Sequence, residues 1–401
     1  MSLGDRLAEN PLLTAKDVIP SLPELEVVSV FNAAAATVGD EIVLLLRVAE
    51  QPRSDIDPAP GALTVDLSRG HPVLQPLPSG YRKHEVIGMC VLDTRVEPPQ
   101  VTVAYVPMDL PGLDLRDRRS IRYRDPRRTR ARANAGYTDY PAQISHLRVA
   151  RSSDGVHFSV EPDPAVAPLG PLEEYGVEDA RATLIDGRWQ VTYVSVSRWG
   201  ITTSLASTAD FRTFQRHGVV FLPDHKDVVL FPERIGGLYR ALTRPMPQSF
   251  GRILGIWAAA SDDLMQWGSH VPVCLPRPGQ WDEVRTGAST VPFRVNDGWL
   301  ELYHGVDRSS RYAAGALLLD ADDPTRVLAR SPRPILSPEE HYERNGLFND
   351  TIFPCGHVDL GGGRIRLYYG AADSVLAAAD FTVREIVASL EPCDATRLGG
   401  C

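Results

Sequence analysis

The chain has 401 residues, of which 43% are hydrophobic, enough apolar side chain to bury a large core and to exclude a disordered chain. A formal net charge of -9 argues against a dedicated nucleic-acid binder, whose affinity comes mainly from Lys and Arg neutralising phosphates. Cys90, Cys274, Cys355, Cys393 and Cys401 are odd in number, lie far apart and show no CxxC spacing, so neither a metal centre nor a disulfide framework is expected. The first residues lack the basic-then-apolar pattern of a signal peptide, and no run of roughly eighteen apolar residues occurs. A cytoplasmic protein with no membrane partner is the expectation.

Taken in chain order, turn-then-strand units recur. Val38-Gly39-Asp40 precedes a strand over 42–48, Ile185-Asp186-Gly187 one over 189–196, and Ile235-Gly236-Gly237 one over 239–243. Asn296-Asp297-Gly298 and Gly361-Gly362-Gly363 then precede strands over 299–305 and 364–370. Gly and Asp accept the positive φ of tight hairpins, and the apolar runs beyond them suit half-buried strands. A second motif, a polar turn closing on an aromatic residue, ends at Phe158, Phe214 and Trp267, a spacing of about one four-stranded propeller blade. Five starts predict an all-β chain, a single five-bladed β-propeller over 1–401; a β-sandwich or two all-β domains is the alternative.

The segment at about 52–140 fits that rhythm poorly. It predicts a strand pair near 86–106 inside a long excursion that serves as a lid, an oligomer contact or a disordered surface loop. Its Arg-rich stretch, 116–132, is interrupted by Asp114, Asp117 and Asp125, lacks a stacking series of aromatics, and reads as a solvated loop. Short helices are expected over 14–18 and over 337–344, the latter with Ser337 as cap and Pro338 in the first position.

The sharpest chemical signal is Gly176-Val177-Glu178-Asp179-Ala180-Arg181, two adjacent carboxylates beside an arginine just before a strand. Glycoside cleavage needs a carboxyl that protonates the leaving oxygen and a nucleophile on the other side of the sugar. By themselves these residues leave a structural salt bridge and a catalytic acid both open.

That segment resembles the Gly-x-x-Asp-Pro-Arg signature of glycoside hydrolase family 130, with Ala180 in place of the usual Pro. In the family's order follow Val30-Phe31-Asn32, Leu46-Arg47-Val48, Lys226-Asp227-Val228-Val229-Leu230-Phe231-Pro232-Glu233, Thr243-Arg244-Pro245, Gly298-Trp299-Leu300-Glu301-Leu302-Tyr303-His304-Gly305-Val306, Phe353-Pro354-Cys355-Gly356 and Tyr368-Tyr369-Gly370-Ala371-Ala372-Asp373. The resemblance implies an inverting enzyme acting on β-mannosides of short oligosaccharides. Asp179 would be the proton donor, working through a hydroxyl of the bound sugar. Asn32, Arg47, Glu178, Lys226 and Asp373 would hold the sugar, Tyr303 and His304 would form a wall, and Tyr312 would border the aglycone. Asn32 could instead cap a turn, and Tyr303, His304 and Trp299 could belong to the core.

The family divides between phosphorolysis and hydrolysis. Phosphate would need converging cations, for which Lys226, Arg244, Arg285 and His225 are the candidates. Asp224, where phosphorylases of the family carry an Arg-Asn pair nearby, would repel phosphate and could activate a water. The expectation is therefore hydrolysis, with phosphorolysis and a non-catalytic sugar-binding propeller as alternatives. No cofactor is implied beyond inorganic phosphate as co-substrate in the phosphorylase case; a homo-oligomer is possible.

Overall fold

The computed structural model describes residues 2–67, 73–116, 120–124, 137–247, 251–296 and 298–393. Seven sheets occur among them, and five follow one another along the chain. The first pairs Leu25–Val38, Glu41–Pro52, Ile144–Ser152 and Ser159–Val160; the second, Val177–Ile185, Arg188–Ser197, Gly200–Thr208 and Gln215–Phe221. The third pairs His225–Leu230, Tyr239–Pro245, Ile256–Ser261 and Gly268–Cys274. The fourth is built on Arg285–Ala288, Gly298–Val306, Tyr312–Leu319 and Val327–Arg330, and the fifth on Ile352–Gly361, Arg364–Ala371, Val375–Thr382 and Asp5–Arg6. The first strands are neighbours in chain order, and Ile352–Gly361 contacts both Gly298–Val306 and Leu25–Val38.

Strand alternation explains why these sheets stack. Val43 and Leu45 enter one apolar core while Leu44, Leu46 and Val48 enter another, so Glu41–Pro52 is buried on both faces. Leu300 and Leu302 divide from Trp299 and Tyr303 in the same way. The polar-turn motif lies between the third and fourth strands of three sheets. The hydroxyls of Ser152, Thr208 and Ser261, each the last residue of its strand, accept the N–H three residues on, at 2.9, 2.9 and 3.0 Å. Asp186 and Gly187, φ 50° and 76°, form the expected two-residue hairpin between Ile185 and Arg188.

The start of the chain is tied to its end. Asp5–Arg6 pairs with the outer edge of Val375–Thr382, and Arg6 reaches Glu343 with Nε–Oε1 2.7 Å and Nη2–Oε2 2.9 Å. Glu343 also accepts from Tyr369 Oη at 2.8 Å and from the Glu339 and Glu340 amides. Those two amides explain a shorter helix than expected: it runs His341–Arg344 with Glu340 as cap, while the Ser337 carbonyl is taken by Arg6. The short helix expected over 14–18 is a 3-10 turn, Ala15–Asp17, capped by Thr14, whereas Val383–Ala388 is a helix that was not anticipated.

The excursion enters between the second and third strands of the first sheet and is not a plain surface loop. Val86–Asp93 pairs with Gln100–Pro107 as expected, and two small sheets enclose a core of their own that includes Met89, Val91, Val106, Ile121 and Tyr140. Within the basic stretch, Arg116 pairs with Asp114 and Arg122 with Asp139; Arg118, Arg119, Arg127, Arg128, Arg130 and Arg132 lie outside the described residues, as does Asp297. Cys393 is disulfide-bonded, which the cysteine spacing did not suggest. No helix among the described residues is long and apolar enough to cross a membrane.

Glu343 is fully buried beneath Arg6, so Glu343→Ala strands a largely buried guanidinium. Denaturant unfolding is expected to lose about 3 kcal/mol, with the midpoint falling at unchanged slope.

Candidate active site

Three of the first strands carry the same irregularity. Registers shift between Phe31 and Ala34, between Glu178 and Arg181, and between Lys226 and Val229. At each shift a polar residue adopts left-handed backbone: Asn32 at φ 47°, Asp179 at 45°, Asp227 at 56°. Asn and Asp tolerate this region best among residues with a Cβ, and the extra residue re-aims a side chain out of the ladder. Ala372 and Asp373 are left-handed as well, at the turn after Arg364–Ala371. The side chains need room that only glycine leaves. A Cβ on Gly370 would lie 2.0 Å from Asn32 Oδ1, and one on Gly287 2.6 Å from Asp227 Oδ2.

The bulges bring two linked charge clusters together. In the first, Asp179 Oδ1 accepts from Asn32 Nδ2 at 2.9 Å and from Arg47 Nη1 at 3.0 Å, while no described residue donates to Oδ2. Arg47 continues to Glu178 Oε1 at 2.8 Å and to Ser145 Oγ at 3.1 Å, and Lys226 Nζ lies 3.4 Å from Glu178 Oε2. In the second, Asp227 meets Arg244 Nε at 2.7 Å and Arg181 Nη2 at 3.4 Å, with His304 Nε2 at 3.6 Å. Arg181 joins the two, donating Nη1 to the Asp179 carbonyl at 2.8 Å and Nε to the Ser289 carbonyl at 3.1 Å. Its guanidinium therefore does not close a salt bridge on the Asp179 carboxylate.

Charge placement separates the carboxyls. Burial pushes Asp179 up, but Arg47, Lys226, Arg181 and the Asn32 amide hold it below the usual range, so it is ionised at rest. Asp373 goes the other way, lifted by burial to about 6 with Asp179 and Glu178 adding to the rise and Arg47 and Lys226 opposing it. Burial also keeps His304 neutral, at about 3, and raises Glu301 well above the carboxylate range.

A cavity of about 230 Å³ opens beside the first cluster, lined by Phe31, Arg47, Ser145, Tyr175, Glu178 and Asp373 among others. Thus Asn32, Arg47, Glu178, Asp179, Lys226 and Asp373 come together, and Arg244 joins them through Asp227. Arg285 lies over Tyr312 at 5.8 Å, and Tyr312 packs on His304 and Phe353. Other expectations meet different surroundings. Tyr303 belongs to the core, its hydroxyl donating to Asp282 at 2.8 Å and accepting from Arg330 at 3.0 Å, so it forms no wall. His304 is fully buried, its Nδ1 3.0 Å from Ser289 Oγ, and lines no cavity described here. Asp224 accepts the Ile201 amide at 2.9 Å, and His225 donates Nδ1–H to the Leu222 carbonyl at 2.9 Å beside Phe221 and His270. Neither of these two has a hydrogen bond to Asp179 or Arg47.

Sequence reasoning missed the roles of Asp227, Ser289 and Tyr175. Asp227 was legible: aligning Phe31-Asn32-Ala33, Glu178-Asp179-Ala180 and Lys226-Asp227-Val228 as equivalent strand starts puts one Asn or Asp in each unit. Ser289 carried no such signal, because its contacts are with Arg181 of the second sheet and with Glu301, Leu302 and His304 of the fourth.

In the folded protein Asp373 keeps its proton to a higher pH than the ordinary 3.8 of the unfolded chain, so its contribution is full below about pH 4 and is lost as pH rises through about 6. Unfolding free energies measured at both ends should fall by about 3 kcal/mol more in the wild type than in Asp373→Asn.

Comparison with known proteins bears on this geometry. The family model described as beta-1,4-mannooligosaccharide phosphorylase matches residues 120–392. A beta-1,2-mannobiose phosphorylase of Listeria innocua serovar 6a is 38% identical over 386 residues, 96% of this chain and 98% of that one. A 1,2-beta-oligomannan phosphorylase of Thermoanaerobacter sp. strain X514 is 35% identical over 62% of this chain and 83% of its own. The Listeria innocua enzyme's structure with beta-1,2-mannobiose has a TM-score of 0.80 at 35% identity, covering 96% and 98% of the two chains. A glycosyl hydrolase from Bacteroides ovatus, 21% identical with a TM-score of 0.65 over 99% and 97%, shares the fold. The chain belongs to glycoside hydrolase family 130.

Proposed function

We propose that the protein is an inverting β-mannoside phosphorylase, a single five-bladed propeller in which each of the five sheets is a blade and the excursion is part of the same domain. The ring order of the first strands and the pairing of Asp5–Arg6 with the last sheet support this architecture. One observation carries the choice of phosphorolysis. Arg47, Arg181, Lys226, Arg244 and Arg285 lie among Glu178, Asp179, Asp227 and Asp373, and Arg244 Nη1, Arg285 Nε and His304 Nε2 are buried without a hydrogen-bond partner. A surplus of positive charge with unused donors suits a dianion. Asp224, the ground for expecting hydrolysis, accepts the Ile201 amide and has no hydrogen bond to Asp179 or Arg47, and the phosphorylase names of the relatives favour the same reading.

In this mechanism the mannosyl unit occupies the cavity beside Asp179, held by Asn32, Arg47, Glu178 and Asp373. Phosphate beside Lys226, Arg244 and Arg285 offsets the cations that keep Asp179 ionised, which lifts its carboxyl toward holding a proton. A phosphate oxygen forms the new bond to the anomeric carbon as the glycosidic carbon–oxygen bond breaks, and the Asp179 proton passes through a sugar hydroxyl to the leaving oxygen. Inversion yields α-mannose 1-phosphate and the shortened sugar.

Incubation of β-1,2-mannobiose with and without phosphate tests this reading. Mannose 1-phosphate should form only with phosphate, and Asp179→Asn should lower kcat/KM by about 10³-fold. Free mannose released at the same rate without phosphate would make the protein a hydrolase.

A further inference from the structure

The cavity beside Asp179 shares a wall with a second cleft. Tyr175 lines both, and this cleft, about 320 Å³, lies between the excursion and the second sheet. One side carries Asp93 and Arg95, the other Glu174 and Arg198, and Val91 contributes apolar surface. The two arginines are forked onto the two carboxylates. Arg95 donates Nε and Nη2 to Asp93 at 2.8 Å each, and Arg198 donates Nε to Glu174 at 2.7 Å and Nη2 to its other oxygen. The Arg198 amide also donates to Glu174, at 2.9 Å, which fixes that turn. No described residue accepts from Nη1 of either arginine.

This chemistry selects a ligand class. Each guanidinium is neutralised by its own carboxylate, so the cleft holds little net charge for a phosphate or a charged peptide. It instead offers donors and acceptors together with an aromatic residue, Tyr175, in one lining, the combination that takes vicinal hydroxyls and the C–H face of a neutral pyranose. Its volume is at the lower end for a small-molecule site. Continuity with the reaction site comes from the chain itself: Pro141 and Gln143, where the excursion rejoins the first sheet, line the cavity beside Asp179, while Asp93 and Arg95 of the same excursion line the cleft.

We infer that this cleft is a distal saccharide subsite, which binds the sugar residue beyond the aglycone unit in substrates longer than a disaccharide and so sets chain-length preference. The inference rests on the proposed mannoside phosphorolysis. The excursion then supplies one side of the substrate site, with Tyr175 common to the cavity beside Asp179 and to the cleft.

Steady-state phosphorolysis of β-1,2-linked mannobiose, mannotriose and mannotetraose by the full chain tests it, comparing the wild type with Arg95→Ala, which removes donors, and Thr94→Trp, which fills the cleft from an exposed position. In each variant the ratio of kcat/KM for triose to that for biose should fall about tenfold. A ratio unchanged in both variants, with the biose still turned over by the wild type, overturns the subsite and leaves the phosphorylase reading intact. Absence of phosphate-dependent turnover of any of the three sugars by the wild type overturns the reading on which the subsite rests.

Discussion

The site depends on a backbone irregularity that is repeated in three sheets. A regular strand would point successive side chains alternately into the cores on its two faces, leaving none to face the neighbouring first strands. By inserting one residue at Asn32, Asp179 and Asp227 in left-handed conformation, three neighbouring strands each deliver a polar side chain out of the ladder. Gly370 and Gly287 supply the space into which Asn32 and Asp227 project. Replacing either glycine would push the same atoms that the chemistry uses, so these positions link packing directly to function.

Concentrating that much charge in a buried place is costly unless the charges satisfy one another. The cluster does so unevenly. Asp227 is saturated by Arg244 and Arg181 and stays ionised, fixing both arginines in place. Asp179 uses one oxygen, with no described residue donating to the other, and Asp373 gives way by holding a proton to about pH 6. The surplus falls on the cationic side, at Arg244, Arg285 and the neutral His304, where donors are buried and unused. In the proposed reaction an anion arriving there would complete the balance and at the same time weaken the field that keeps Asp179 deprotonated. Under that proposal, phosphate binding and activation of the acid would be one electrostatic event.

Much of this was written in the sequence at the level of pattern. Turn residues before each apolar run located the sheets, and the hydroxyl turns at Ser152, Thr208 and Ser261 gave their rhythm. The Glu178-Asp179 pair and Asp373 stood in recognisable motifs. What the pattern does not contain is which atoms a side chain faces once distant strands converge. The resemblance made Tyr303 a wall residue with the core as the alternative, and its hydroxyl answers to Asp282 and Arg330 from other segments, which places it in the core. Asp224 looked like a base because of its place before Lys226; the Ile201 amide donates to one of its oxygens, a contact the pattern did not show. The excursion lacked the blade rhythm, and its own core depends on pairings between residues far apart, including a parallel pair of Leu63–Val65 with Gln100–Pro107.

Direct titration of the protein with inorganic phosphate in a calorimeter, without sugar, is the sharpest test of the cation surplus. The wild type should bind phosphate with an affinity that falls as salt is added, and Lys226→Gln and Arg285→Gln should each weaken it about tenfold. No heat of binding in the wild type, or an affinity in both variants equal to that of the wild type, would contradict the account.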